Sequence, residues 1–450
     1  MAGIRNSGHA DLPLHTGTVP RWLADRMMVL GTLITESLVE NFGPDEVLVR
    51  LSDPLWFQSF GAVMGMDWHS SGITTSVMYA LKRGLNPRAK ELGIYVCGGR
   101  GKYSRMTPEE LLGIAEKEGL DGNALVRNSK LVAKVDNNAV QDGFQLYQHN
   151  FVLTRSGSWA VVQQGMNTAD KKARRYHWCS TNLRSFVEEP HSGVVGDNKG
   201  KILNLTDSQA DKARSSILEM SREEPDRMLR EIVQIEKPAS EMILLQNGGV
   251  TGVSPVRRGS PFAIAHYRVS FGNSRREGET SPYQQELFPE LTNERSIVIP
   301  AHHEVREQNV DLKRLGGVLA TAYNSQPKDF EELLLTPGLG PRTLQSLALV
   351  SEVIYGTPSR FTDPARFSFA HGGKDGHPFP VPLKIYDESI RILRDSIEKS
   401  KLGYKDKSDC IRRLHTVALN VEKNCAPDVD FDAAIRFERE HSKEWDGKTV

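Results

Sequence analysis

The stretch between residues 134 and 178 brings together two carboxylates, Asp136 and Asp142, with histidines and arginines, interleaved with aromatic residues. Oxygen and imidazole groups are the ligands that Mg²⁺ or Mn²⁺ would use, and arginines stabilise the charge that builds up on a phosphate during phosphodiester cleavage. The stretch therefore predicts a metal-dependent site for phosphate chemistry. Its candidate catalytic residues are Asp136, Asp142, His149, His177, Arg174 and Arg175.

No standard nuclease motif is matched, and the members of this cluster also have structural interpretations. Arg174 and Arg175 could form a solvated basic edge. His177 and Trp178 could form a buried, hydrogen-bonded pair. The sequence alone leaves both interpretations open.

A second candidate site lies upstream, in the segment Asp67-Trp68-His69-Ser70-Ser71-Gly72. A carboxylate and an imidazole two residues apart lie on the same face of an extended segment. Asp67 and His69 could therefore join Asp136 and Asp142 as metal ligands. The alternative is that the aspartate and the serines cap the helix that follows, with His69 hydrogen-bonded locally.

Two further segments could hold phosphate groups. Lys171 and Lys172, with the arginines that follow, make the strongest basic stretch before residue 200 and could track a nucleic-acid backbone. The glycine-rich segment Gly98–Lys102 could cradle a phosphate through its amides, although an ordinary glycine-rich turn is the alternative.

Leucines at helical spacing stand on both sides of a Pro-Gly-Leu-Gly-Pro break at residues 337–341. This pattern predicts two short helices joined by a tight turn, in which the glycines permit positive φ and Pro341 suits the first helical turn. Amides and the helix dipole at such a turn would hold a phosphate without reading the base sequence. The alternative is an ordinary corner between helices. The residues predicted to contact DNA are Pro337, Gly338, Leu339, Gly340, Arg342 and Thr343, together with Lys171 and Lys172.

The remaining periodicity predicts the elements that would position these residues. Apolar residues at helical spacing predict helices over 22–39 and 74–85, and a short apolar run at 47–51 predicts a strand. Residues 151–155 and 158–164, split by Ser-Gly, are typical of a β-hairpin. We therefore predict an α+β protein, with a β-hairpin-containing sheet in a mixed N-terminal domain and an all-α helix-hairpin-helix domain after it.

The 450 residues carry 57 basic and 57 acidic side chains, so a nucleic-acid site must be a local patch. The four cysteines are scattered without a CxxC pair, which argues against structural zinc and disulfides and favours a cytoplasmic protein. The predicted organisation is a site-bearing domain over 1–200, a charged helical connector with a mobile loop over 201–294, a helix-hairpin-helix domain over 295–425 and a charged tail over 426–450.

Most of the chain resembles the domain-of-unknown-function family seven-six-three. The resemblance rests on the segments Asp67–Gly72, Lys134–Asp136, Gln163–Asn167, Arg174–Trp178 and Ala370–Pro378. This resemblance implies membership of a family but no mechanism.

A narrower segment, Ala322–Asp363, is similar to the helix-hairpin-helix DNA glycosylases. In those enzymes the hairpin is followed by an aromatic-Gly-x-Pro turn, here Tyr355–Pro358, and then by a catalytic aspartate, which the resemblance places on Asp363. Arg342 stands where the lyase members carry a Schiff-base lysine, and a guanidinium cannot form that adduct. The alternative is that Asp363 caps a helix with Pro364 at its first position.

The segment Gln284–Phe288 resembles the short Gln-x-x-Leu-Phe peptides that bind the bacterial sliding clamp. The resemblance implies that Gln284, Leu287 and Phe288 contact the clamp from a mobile loop. Alternatively, the Leu-Phe pair packs onto the protein itself.

Together these patterns favour a DNA-processing protein that docks on the DNA backbone. The first hypothesis is a divalent-metal-dependent nuclease of DNA repair or replication, with Mg²⁺ or Mn²⁺ as its cofactor. The alternatives are a base-excision DNA glycosylase that uses Asp363 and a non-catalytic DNA-binding scaffold.

Overall fold

The computed structural model describes most of the chain, which falls into two compact units. The described residues are 12–13, 21–66, 71–169, 171–236, 265–270, 294–299, 312–353, 355–365 and 383–422. The first unit contains Met1–Ile202 and Phe361–Val450, and the second contains Leu203–Arg360. No helix within the described residues is long and apolar enough to cross a lipid bilayer.

Within the described part of the first unit, six strands form an antiparallel sheet. They are β1 (Leu12–Pro13), β2 (Ile94–Arg100), β3 (Gln145–Thr154), β4 (Trp159–Asn167), β5 (Lys172–Cys179) and β6 (Gly193–Val195). Strands β3, β4 and β5 form a meander, β2 pairs with β3, and β1 and β6 pair with different parts of β5. The turn between β3 and β4 contains Gly157 at φ 87°, so the predicted hairpin is confirmed, with longer strands than expected.

Helices cover both faces of this sheet. They are α1 (Arg21–Phe42), α2 (Pro44–Ser52), α3 (Pro54–Val63), α4 (Gly72–Leu85), α5 (Ala89–Leu92), α6 (Thr107–Glu118) and α7 (Gly122–Lys134), which continues into a π-helical turn, Val135–Ala139. Helices α1 to α4 share a core with the apolar residues of one sheet face, including Val152 and Val162. Ser129 of α7 contacts the other face. Helices packed on an antiparallel sheet confirm the α+β class.

The predicted strand at 47–51 is wrong, because these residues belong to α2. Gly43, at φ 88°, ends α1, and Pro44 then occupies the first turn of α2. Val47, Leu48 and Leu51 are buried on one face of α2. The run is apolar at positions 47, 48, 49 and 51. Positions 47, 49 and 51 fit the period of two of a strand, and positions 47, 48 and 51 fit one face of a helix, so the run could not decide between them.

The second unit contains helices and a pair of antiparallel strands. The elements are α8 (Asp211–Ser221), α9 (Pro225–Glu236), β7 (Ala265–Ser270), β8 (Glu294–Ile299), α10 (Leu312–Ser325), α11 (Phe330–Leu335) and α12 (Pro341–Val353). Asp329 caps α11 by accepting a hydrogen bond from the amide of Glu332 at 2.8 Å. Because β8 falls in the stretch predicted to be all-α, that prediction is corrected.

The C-terminal helices belong to the first unit. They are α13 (Leu383–Lys399) and α14 (Tyr404–Glu422). Leu393, Ile397 and Leu414 are buried in the same core as α1 and α3. The predicted domain at 295–425 therefore divides at residue 361, because the apolar faces of α13 and α14 are buried in the first unit.

One buried carboxylate, Glu36, ties α1 to this C-terminal segment. It accepts hydrogen bonds from both terminal nitrogens of Arg88, at 2.9 and 3.0 Å, and from Lys401 at 2.7 Å. The hydrogen bonds from Arg88 are the largest cause that lowers the pKa of Glu36 to about 2.

We expect Glu36→Gln to remove a pH-dependent part of the stability. The pKa of Glu36 is lower in the folded than in the unfolded protein, so its contribution to the free energy of unfolding is complete above about pH 5 and is lost as the pH falls toward 2. This contribution is at most about 3 kcal/mol. Urea unfolding between pH 7 and pH 3 should show a difference in the free energy of unfolding between the wild type and Glu36→Gln, and this difference should become smaller as the pH falls. Glu40→Gln, which removes an exposed charged partner of Lys401, should change the free energy of unfolding by less than about 1 kcal/mol. A difference in the free energy of unfolding between the wild type and Glu36→Gln that does not depend on pH would contradict the prediction.

Candidate buried polar networks in the first unit

Asp136 lies in the π-helical turn and is fully buried. Its carboxylate accepts a hydrogen bond from the indole of Trp178 at 2.9 Å, and others from Gln163 and His191. The ring of His191 packs edge-on against Trp178, with the centroids 4.8 Å apart. Both carboxylate oxygens therefore have protein donors.

His149 extends this network along the sheet. Its Nε2 lies 2.9 Å from Ser129 Oγ, and its Nδ1 lies 2.7 Å from Gln163 Oε1. The amide nitrogen of Gln163 donates to Asp136, so its oxygen must accept from Nδ1–H of His149. In a neutral ring that carries its hydrogen on Nδ1, Nε2 accepts from the serine hydroxyl. Burial lowers the pKa of His149, consistent with the neutral ring.

A second cluster on the same sheet face surrounds Arg174. Its guanidinium donates to both oxygens of Asp363, at 2.9 and 2.7 Å, and to Asp142 at 3.0 Å. Asp142 also accepts from the hydroxyl of Tyr176 at 2.6 Å and from the amide of Phe144 at 2.9 Å. The side chains of the arginine and of both aspartates have no exposed surface. Burial raises the pKa of Asp142, and this effect is larger than that of the positive charge of Arg174, which lowers it.

Arg175 and His177 point to the opposite face, which α3 and α4 cover. Arg175 donates to His177 Nε2 at 2.7 Å, to Gln58 Oε1 at 2.8 Å and to Thr74 Oγ1 at 3.4 Å. Nδ1–H of His177 donates to the carbonyl of Leu51 at 2.9 Å. Burial and the charge of Arg175 lower the pKa of His177 well below its usual range, so the ring is neutral.

The sheet therefore divides the predicted catalytic cluster. Successive residues of a strand point to opposite faces, so Arg174 and Arg175 cannot act on one substrate group from neighbouring positions on β5. Asp136, Asp142, His149 and Arg174 share one face, and Arg175 and His177 occupy the other. The solvated basic edge is wrong for both arginines, which are fully buried. His177 and Trp178 are both buried and hydrogen-bonded, but to different partners.

The described residues do not bring the candidate metal ligands together. Among them, no three His, Cys, Asp or Glu side chains are arranged to hold a metal ion. Asp136 and Asp142 are held by separate sets of donors. The other two proposed ligands, Asp67 and His69, lie outside the described residues, as do Gln284, Leu287 and Phe288.

The basic stretch at 171–175 is correspondingly smaller than the sequence indicates. Lys171 is exposed, with φ 54°, and Lys172 is half-buried and donates to Asp197 at 2.7 Å. The arginines that follow are buried and cannot contact a nucleic-acid backbone.

In the second unit, α11 and α12 are joined by a turn at residues 336–340. Gly338 has φ 81° and is exposed, whereas Leu339 is buried and fixes the turn to its unit. Gly340 does not have positive φ, which corrects the expectation that both glycines need it. Pro337, Pro341 and Arg342 are also exposed, and Thr343 is buried.

Sequence reasoning missed several partners in these networks. Gln58 and Thr74 lie far along the chain from Arg175, and no local pattern links them. One signal was available, because Gln148, Gln164 and Arg175 interrupt otherwise apolar strand positions and pair directly across β3, β4 and β5. A run of polar residues in register across a buried sheet face predicts a polar network there.

Comparison with known proteins gives a family but no mechanism. No solved structure matches the chain. The family described as "Protein of unknown function (DUF763)" matches residues 8–381, which is more than half of the sequence. The chain therefore belongs to the DUF763 family.

Proposed function

We propose that the protein processes DNA and that it docks on the DNA backbone through the turn between α11 and α12. The observation that carries this proposal is the form of the turn. Pro337 and Gly338 are exposed at its tip while Leu339 anchors it from below. A backbone that is exposed, fixed and free of bulky side chains can approach a phosphate closely.

The charge at the turn supports the same function. Arg342 is exposed in the first turn of α12. At this position it lies beside the positive end of the helix dipole, where a phosphate is favoured. Such contacts are made to the DNA backbone, so binding would depend on salt and not on base sequence.

Gly340→Ala is the sharpest test of this docking. A Cβ at Gly340 would meet nothing closer than the carbonyl oxygen of Gly338 at 4.0 Å, so the methyl group fits the fold. It would project at the turn, where it obstructs an approaching phosphate. We expect affinity for duplex DNA to fall about tenfold, or ~1.4 kcal/mol, with an unchanged melting temperature. Fluorescence anisotropy at several salt concentrations would measure this.

Two further variants separate charge from shape. Arg342→Ala should reduce the salt dependence of binding by about one counterion. Lys212→Ala, which removes an exposed cation from α8, is the matched control. Gly338→Ala is less informative, because it adds strain at positive φ and places Cβ 3.1 Å from Val318. Wild-type DNA affinity in a folded Gly340→Ala protein would exclude docking by the turn.

The proposal includes metal-dependent cleavage of the bound DNA. Its support is the inventory of side chains in the first unit and the segment that contains Asp67 and His69, directly before α4. Asp136 and Asp142 accept hydrogen bonds from buried side chains of the protein. Asp67 and His69 are therefore the better candidates for metal binding. Mg²⁺ or Mn²⁺ would supply Lewis-acid stabilisation of the phosphate charge.

No specific observation favours the glycosylase alternative. Asp363 is engaged by Arg174 and also accepts from the amides of Lys199, at 2.7 Å, and Ala365, at 2.8 Å. The sliding-clamp contact through Gln284, Leu287 and Phe288 stays a separate hypothesis, which a peptide of residues 279–292 would test directly.

A further inference from the structure

Arg175 is a buried cation that lacks an anionic partner among the described residues. Its side chain is fully buried, and its hydrogen bonds go to His177, Gln58 and Thr74, all of them neutral. The guanidinium also stacks on Phe57, 4.7 Å from the ring centroid. Burial lowers the pKa of Arg175 to about 9, so it stays charged at neutral pH.

The neighbouring arginine shows how unusual this is. Arg174 is equally buried but is neutralised by Asp142 and Asp363. A buried charge is costly unless it is paired, so an arginine without a carboxylate needs another source of negative charge. A guanidinium has five N–H donors, and three are used here, which leaves two for an anion.

A second observation concerns Gln164, which lies directly opposite Arg175 in the pairing of β4 with β5. Its amide nitrogen donates to the hydroxyl of Tyr147 at 2.6 Å and to the carbonyl of Ser71 at 3.2 Å. Its oxygen, Oε1, is buried and has no hydrogen-bond partner. Buried polar atoms are almost always paired, so Oε1 is placed to accept a hydrogen from a ligand.

We propose that Arg175, Thr74 and Gln164 form a buried site for the phosphate group of a phosphomonoester or of free hydrogen phosphate. The guanidinium and the threonine hydroxyl bind the oxyanion. The P–OH group of hydrogen phosphate, or of a phosphomonoester bound as its monoanion, donates to Gln164 Oε1. A fully deprotonated oxyanion such as sulfate has no hydrogen for this acceptor, so the site prefers phosphate.

A chain of side-chain contacts on the same sheet face runs from the site to the surface. Tyr147 is half-buried and holds Gln164, and the exposed guanidinium of Arg100 lies 5.8 Å from the centroid of its ring. This inference deepens the proposed function, because it gives the first unit a phosphate subsite, but its test needs no DNA.

The test is thermal unfolding of the full chain in phosphate, sulfate or chloride at matched ionic strength and pH 7. All six tryptophans lie in the first unit, so their fluorescence follows this unit alone. When phosphate exceeds its Kd about 100-fold, we expect the melting temperature to rise by roughly 5 °C, and sulfate to act more weakly. A nucleoside 5′-monophosphate tested beside its nucleoside distinguishes an esterified phosphate from the free anion.

Two variants make the result specific. Arg175→Met should abolish the response to phosphate. Gln164→Glu supplies an internal carboxylate opposite Arg175, so it should raise the melting temperature without phosphate and remove the response to it. Lys102→Met, which removes an exposed cation, and Gly340→Ala, which tests DNA docking, should both keep the response.

The proposal is overturned if phosphate stabilises the wild type no more than chloride does. It is also overturned if Arg175→Met keeps the full response, since the effect would then be a general salt effect. Should Arg175→Met not fold, Gln164→Glu alone decides, because a folded Gln164→Glu protein with an undiminished phosphate response contradicts the site.

Discussion

Replacing Arg174 with methionine is expected to lower the free energy of unfolding of the first unit by about 3–5 kcal/mol. The substitution leaves two buried carboxylates, Asp142 and Asp363, without their cation. Methionine keeps the unbranched apolar stem of arginine but is smaller, so the loss of volume must be separated from the loss of charge by a matched variant. Urea unfolding followed by tryptophan fluorescence would measure it.

Arg175→Met is the matched control for this experiment, because it removes the same side chain from the next position of β5. Arg175 has no carboxylate partner in the described structure, so its loss should cost far less than that of Arg174 or should stabilise the protein in phosphate-free buffer. Adding Asp142→Asn and Asp363→Asn to Arg174→Met should recover part of the loss, because no unpaired charge then remains. Equal losses for the two arginine variants would contradict the electrostatic interpretation.

EDTA is expected to abolish DNA cleavage by the full chain, and Mg²⁺ or Mn²⁺ to restore it. A metal ion contributes several kcal/mol of transition-state stabilisation in such reactions, so removing a ligand should lower the rate on the order of 100-fold or more. We expect this for Asp67→Asn and His69→Gln. The assay uses labelled single-stranded, double-stranded and branched DNA, with and without each metal.

The Gly340→Ala protein separates binding from cleavage in this assay. It should need more DNA to reach saturation but should cleave at the normal rate once saturated. Alkali-sensitive sites that form in EDTA and are lost in Asp363→Asn would show a glycosylase in place of a nuclease. Binding without any cleavage or base release would favour the scaffold.

The sequence predicted those parts of the fold that depend on local patterns. The helix at 22–39 and the hairpin about Ser156-Gly157 were found where periodicity and turn residues placed them. The third strand of the meander, β5, was not predicted, because its residues were interpreted as a site. That omission placed Arg174 and Arg175 in one cluster, since only a strand assignment sends neighbouring side chains to opposite faces.

The sequence by itself determined the α+β class, the presence of two helices joined by a short turn within 330–353, and the concentration of polar residues in the central strands. These features follow from spacing and turn chemistry over a few residues. Only the tertiary structure decided that Arg174 binds Asp363, which lies 189 positions away, and that Arg175 is left with neutral partners. The physical reason is that burial and charge pairing depend on which strands and loops meet in space, and a sequence pattern does not contain that information.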